Sequence, residues 1–130
     1  MTSIQAVGLY AALNILLILF LSANVSRNRR RAKVSLGTGK DKALEQACRA
    51  HGNTIEIIPA GLIALFLLAS MNAPTIQIHI IGAALTIGRI LFAYGILKSF
   101  TPSFGRFAGT VITWLTFLAS SVLLLIAAFS

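Results

Sequence analysis

The chain has 130 residues, 57% of them hydrophobic and 11% charged, and carries a formal net charge of +8. Its mean hydropathy of +0.87 excludes an ordinary soluble domain and points to an integral membrane protein with room for one domain of four spans. The basic excess is clustered, which marks the cytoplasmic face of a membrane rather than a nucleic-acid partner. The single cysteine, Cys48, excludes an internal disulfide framework, and no His/Cys cluster has metal-ligand spacing.

Residues 4–23 carry no charge and have the length that crosses a hydrocarbon core of about 30 Å. They lack the basic start and small-residue cleavage site of a signal peptide, so they read as a retained first helix. Residues 24–42 hold Arg27, Arg29, Arg30, Arg31, Lys33, Lys40 and Lys42, with Gly37 and Gly39 between them. This predicts a polar loop that fixes orientation and meets anionic headgroups. A second helix is expected over about 42–70, opened by Asp41 as a cap or first-turn acid. Pro59 within it removes a backbone donor and predicts a kink just after Glu56.

A turn at Met71-Asn72-Ala73-Pro74 leads to a third helix over about 75–98, whose apolar interior holds one charge, Arg89. A turn around Pro102 opens a fourth over about 104–129, with Arg106 in its first turn. Gly105 and Gly109 give that helix a small-xxx-small face for close helix approach. The expected fold is therefore an all-α antiparallel four-helix membrane bundle in a single domain, 1–130. Every lysine and arginine lies towards the side of the first and third loops, so both termini are expected outside and the basic loops in the cytoplasm.

The chemistry concentrates in Arg49-Ala50-His51-Gly52-Asn53-Thr54-Ile55-Glu56-Ile57-Ile58-Pro59. Arg49, Asn53 and Glu56 stand at i, i+4 and i+7, on one helix face. A lone acid near a bilayer centre costs on the order of 3 kcal/mol, so Glu56 is a functional candidate with Arg89 as its partner. Glu56 and Arg89 are equally far from the turn at 71–74, roughly 21 Å along the helix, and so share a depth. A plain structural ion pair is the simpler reading. Against it, one acid does not need two arginines and an amide; the surplus donors suit a ligand with carboxylates, and the acid suits an ammonium. His51 lies off this line, and His79, Cys48 and Trp114 read as interfacial or packing residues.

These segments carry a resemblance. Arg49-Ala50-His51-Gly52-Asn53-x-x-Glu56-x-x-Pro59, preceded by Val34-Ser35-Leu36-Gly37-x-Gly39 and followed by Gly88-Arg89-x-x-x-x-Tyr94-Gly95, resembles the MAPEG family, the membrane-associated proteins of eicosanoid and glutathione metabolism. The similarity extends over nearly the whole chain. It implies a homotrimer of four-helix subunits, binding glutathione between neighbouring subunits near the cytoplasmic face; the small size and lack of added targeting signals suggest a bacterial inner membrane. Its implied activity is that of a glutathione transferase or peroxidase acting on a hydrophobic small-molecule electrophile or lipid hydroperoxide.

By position, the resemblance assigns Arg49, Asn53, Glu56, Arg89 and Tyr94 to the glutathione site, with His51 beside them. It brings an arginine from the end of the first helix, Arg27, Arg29, Arg30 or Arg31, to a glutathione carboxylate. Arg106 takes the role of stabilising the thiolate, with Tyr94 as its catalytic companion. Two departures stand out. Phe92 occupies the place of a histidine common in the family, and Gly52 the place of a second arginine in eicosanoid-synthesising members. The rival expectations are a non-enzymatic scaffold or lipid-binding protein of this fold, and a small multidrug transporter with Glu56 as proton carrier.

Overall fold

The computed structural model describes residues 1–130 as four α-helices: α1 (Ser3–Ala32), α2 (Lys42–Ser70), α3 (Thr75–Lys98) and α4 (Phe104–Phe129). All four are long and apolar enough to cross a membrane. Their outward faces carry large apolar side chains such as Leu19, Phe20, Ile63, Ile76 and Leu118, each more than half exposed on the isolated chain. Such a surface is stable only against lipid or further protein.

The helices begin and end where local chemistry dictates. Thr2 and Gln5 form a reciprocal capping box at the start of α1. Helix α1 runs nine residues past the uncharged stretch: Arg27, Arg29, Arg30 and Arg31 are helical, not part of a loop. Arginine is a good helix former, and cations in the last turn face the negative end of the helix dipole. The stop is Lys33 at φ 56°, whose N–H bonds the Arg29 carbonyl. Asp41 caps α2 through Leu44 N–H at 2.9 Å and takes a 2.7 Å ion pair from Arg31. The Arg31 bond, followed by the Leu44 N–H, holds the Asp41 carboxyl below the usual range.

Helix α2 continues through Pro59, where the ring leaves the Ile55 carbonyl without its in-helix donor. It closes at Asn72 (φ 63°), with Ala73 N–H on the Leu68 carbonyl and Asn72 N–H on the Ala69 carbonyl. This is a Schellman ending, with asparagine supplying the left-handed residue.

Helices α2 and α3 form the central pair; α1 packs on both, α4 packs on both, and α1 does not meet α4. At the uncharged end the core is apolar, built from residues including Val7, Tyr10, Leu65, Leu68, Ile78 and Leu85. A second, smaller cluster of Leu21, Ala50, Ala93 and Ile96 lies towards the basic end. Polar contacts tie α1 to α3 as well. Tyr10 Oη and His79 Nδ1 are 3.0 Å apart, and Asn14 Nδ2 donates to Thr86 Oγ1 at 2.9 Å. His79 is therefore tied into the α1–α3 contact rather than standing free at the interface.

The expected glycine face of α4 meets α3. A Cβ on Gly109 would come within 2.6 Å of the Phe92 nitrogen, and one on Gly95 within 2.5 Å of the Arg106 nitrogen. This closeness delivers Arg106 to the side of α3.

Candidate functional site

Arg89 is only 2% exposed, and no carboxylate approaches it: the Arg31–Asp41 pair is the one ion pair within 4.0 Å in the chain. Its donors are used on neutral acceptors. Nη1 donates to Asn53 Oδ1 at 2.6 Å, and Nε and Nη2 donate to Thr113 Oγ1 at 3.1 and 2.8 Å. Nη2 also reaches the Gly109 carbonyl at 3.4 Å. The guanidinium lies 4.8 Å from the centre of the Phe92 ring, a cation–π distance. Arg89 thus ties α3 to α2 and α4 at once.

The expected Glu56–Arg89 pair does not form within the chain. Glu56 is exposed, while Asn53 takes the place facing α3. Equal counted depth was not sufficient for that pair. Three residues along a helix turn a side chain by about 300°, and the α2–α3 contact line passes through Asn53 rather than Glu56.

Beyond the Phe92 ring, at the basic end of α2, α3 and α4, lies a cleft of about 210 Å³. Arg49 of α2 and Arg106 of α4 line it, with Glu45, Gln46 and Ser99 as further polar walls and Phe92, Ile96 and Phe100 as apolar ones. Neither guanidinium has a carboxylate within 4.0 Å. Arg106 stands in the first turn of α4, where the Ser103 hydroxyl caps its backbone N–H at 3.4 Å. The cleft therefore combines two free cations, one acid and the positive end of a helix.

The remaining candidates lie elsewhere. Tyr94 is 58% exposed and lines a different cleft with Arg27 and Lys98. Two residues after Phe92, it is turned about 200° away from the Arg106 side. His51 is half-buried on α2. Arg29 is occupied in closing the α1–α2 connection: it donates to the Gly37 carbonyl at 2.8 Å and lies 3.6 Å from Cys48 Sγ. One chain therefore joins Asn53 to Arg89 and Arg49 to Arg106, and leaves Glu56 and Tyr94 on its outer surface.

Glu45, Gln46 and Thr113 escaped the motif reading. Glu45 had a usable signal, since it precedes Arg49 by one helical turn. Gln46 has a structural task as well. Its Nε2 donates to the Ile96 carbonyl at 2.9 Å, one of the last-turn carbonyls of α3 that the helix itself cannot satisfy.

The sequence model of the MAPEG family matches residues 7–126, spanning all four helices. The chain belongs to the MAPEG family. It is similar to the inner membrane protein YecN of Escherichia coli K12, with 37% identity over 88 residues, 68% of this chain and 67% of that protein. The same figures hold for YecN of the Escherichia coli O6:H1 strain CFT073. This MAPEG chain is a membrane protein of four apolar helices, and its Arg89 network and Arg49–Arg106 cleft both lie within the matched region.

Proposed function

We propose that this MAPEG protein is a glutathione-dependent transferase or peroxidase acting on hydrophobic electrophiles or lipid hydroperoxides. The observation that carries the reading is the cleft with two uncompensated guanidiniums, Arg49 and Arg106, beside the carboxylate of Glu45. Glutathione carries two carboxylates, an ammonium and a thiol, and these residues fit it in charge. Arg49 holds a carboxylate, and Glu45 receives the ammonium. The volume, about 210 Å³, accommodates part of such a tripeptide. A neighbouring subunit completes the site in the homotrimer that family membership suggests. That assembly also shelters Glu56, which would otherwise face lipid at a cost on the order of 3 kcal/mol.

Glutathione supplies a thiol whose deprotonated form attacks an electrophile. Arg106 lowers the energy of negative charge at that sulfur, adding its own cation to the N-terminal dipole of α4. Moving a thiol from about pKa 8.5 to about 6.5 requires roughly 2.7 kcal/mol of such preference. Electrophiles enter from the bilayer, between helices. The basic ends of the helices face the cytoplasm of a bacterial inner membrane, by the clustering of Lys and Arg.

Calorimetry of glutathione with the detergent-solubilised protein, alongside Arg49→Ala and Arg106→Ala, tests the binding site. Stopped-flow detection of the thiolate absorbance tests the role of Arg106. The expected result is weaker binding in the first variant and lost thiolate signal in the second, with helicity retained. A folded protein that binds no glutathione at millimolar concentration refutes the reading and leaves a scaffold of this fold, in which the Phe92 ring closes over Arg89.

A further inference from the structure

A second and larger cleft, of about 590 Å³, opens between α1, α2 and α3. Its lining changes character along its length. Leu17 and Phe20 of α1 and Ile90 of α3 form one end; Asn24, Arg27 and Lys98 form the other. From Leu17 to Arg27 is about 15 Å along α1, and from Ile90 to Lys98 about 12 Å along α3. Both helices run in the same direction, so the two gradients reinforce each other. No acid lines the cleft, and neither cation has a carboxylate within 4.0 Å. Asn24 Oδ1 accepts from Arg27 Nη2 at 2.8 Å and so fixes the guanidinium while leaving its other donors free. The Lys98 ammonium lies 5.5 Å from the centre of the Tyr94 ring at the same end.

We infer that this cleft binds one anionic phospholipid, its phosphate between Arg27 and Lys98 and an acyl chain along Leu17, Phe20 and Ile90. A wholly polar ligand would find no partner over the apolar half, and a zwitterionic lipid would leave a cationic rim uncompensated. The site is distinct from the Arg49–Arg106 cleft, with Gln46 the one lining residue common to both. The lipid site stands on its own lining, whether or not the other cleft takes glutathione.

Native mass spectrometry of the full chain tests this, with phosphatidylglycerol and phosphatidylcholine of matched acyl chains and with glycerol 3-phosphate as the headgroup alone. Two headgroup contacts predict a preference for the anionic lipid of about thirtyfold. Arg27→Gln with Lys98→Gln removes that preference. Arg27→Lys with Lys98→Arg keeps it, as does the charge-matched pair Arg30→Gln with Lys33→Gln, whose residues are exposed and outside the cleft. Retained helicity of each variant by circular dichroism excludes unfolding as the cause. Equal loss in both glutamine pairs overturns the proposal in favour of diffuse attraction by the basic end. Equal binding of the two lipids also overturns it, and displacement by glycerol 3-phosphate reassigns the cleft to a soluble phosphate.

Discussion

Thr113→Val isolates the Arg89 network with little change of shape. The hydroxyl of Thr113 accepts from two Arg89 nitrogens, at 3.1 and 2.8 Å, while donating to the Gly109 carbonyl at 2.8 Å. An interhelical hydrogen bond in a membrane protein averages about 0.6 kcal/mol, and a charged donor roughly doubles that. Two such bonds lost on a nearly fully buried guanidinium therefore predict a destabilisation of about 2 kcal/mol. Thr116→Val provides the comparison, because that hydroxyl bonds only the Ile112 carbonyl of its own helix and its loss should cost under about 1 kcal/mol. Reversible unfolding in mixed micelles, titrated with a denaturing detergent and followed by circular dichroism, measures both. In an Arg89→Met background the cost of Thr113→Val should shrink towards that of Thr116→Val, since no charged donor is left to strand. Equal costs for the two threonines in the native background would refute the assignment of Arg89 as a three-helix tie.

Gly109→Ala should destabilise by about 1–3 kcal/mol in the same assay, because the new Cβ would sit 2.6 Å from the Gly88 carbonyl and the Phe92 nitrogen. Gly52→Ala should be neutral or stabilise by up to about 1 kcal/mol, since nothing lies within 4 Å of its Cβ position. Asp41→Asn should destabilise only where the carboxylate is ionised. Its folded-state pKa is lowered, first by Arg31 and then by the Leu44 N–H. Its contribution is thus fully present above the unfolded value of about 3.9 and fades as pH falls through the lower folded value. Unfolding curves of wild type and Asp41→Asn, measured from neutral pH downward, should converge at the acid end.

The helices and their turns were legible because the apolar runs are long and the interruptions carry strong local chemistry: Asp41, Asn72-Ala73-Pro74, Pro102-Ser103. A close helix approach to α4 was legible from Gly105 and Gly109, though not that α3 makes it. The end of α1 was not, since a run of arginines reads as loop by polarity, although arginine itself favours helix. Pairing within the bundle was half legible. Counting residues from the α2–α3 turn gives an expected depth, which put Glu56 opposite Arg89, whereas the α2 partner of Arg89 is Asn53, one turn earlier. The direction in which each side chain points depends on how the helices are rotated about their axes, and that is set by packing around Asn53, Thr113 and Gly109. Tyr94 illustrates the same limit: near Arg89 in sequence, it lies on the opposite side of α3 from Arg106.

The side chain of Gln46 forms part of the walls of both clefts and completes the last turn of α3 through the Ile96 carbonyl. An occupant on either side that recruits this amide must leave that carbonyl bare, an outcome disfavoured away from water. The two compartments are then linked through a single donor, and thermodynamic reciprocity follows. Whatever factor one occupant imposes on the affinity of the other is returned unchanged in the opposite direction. A protein of 130 residues would in this way need no moving domain to let the composition of the bilayer set its response to a solute.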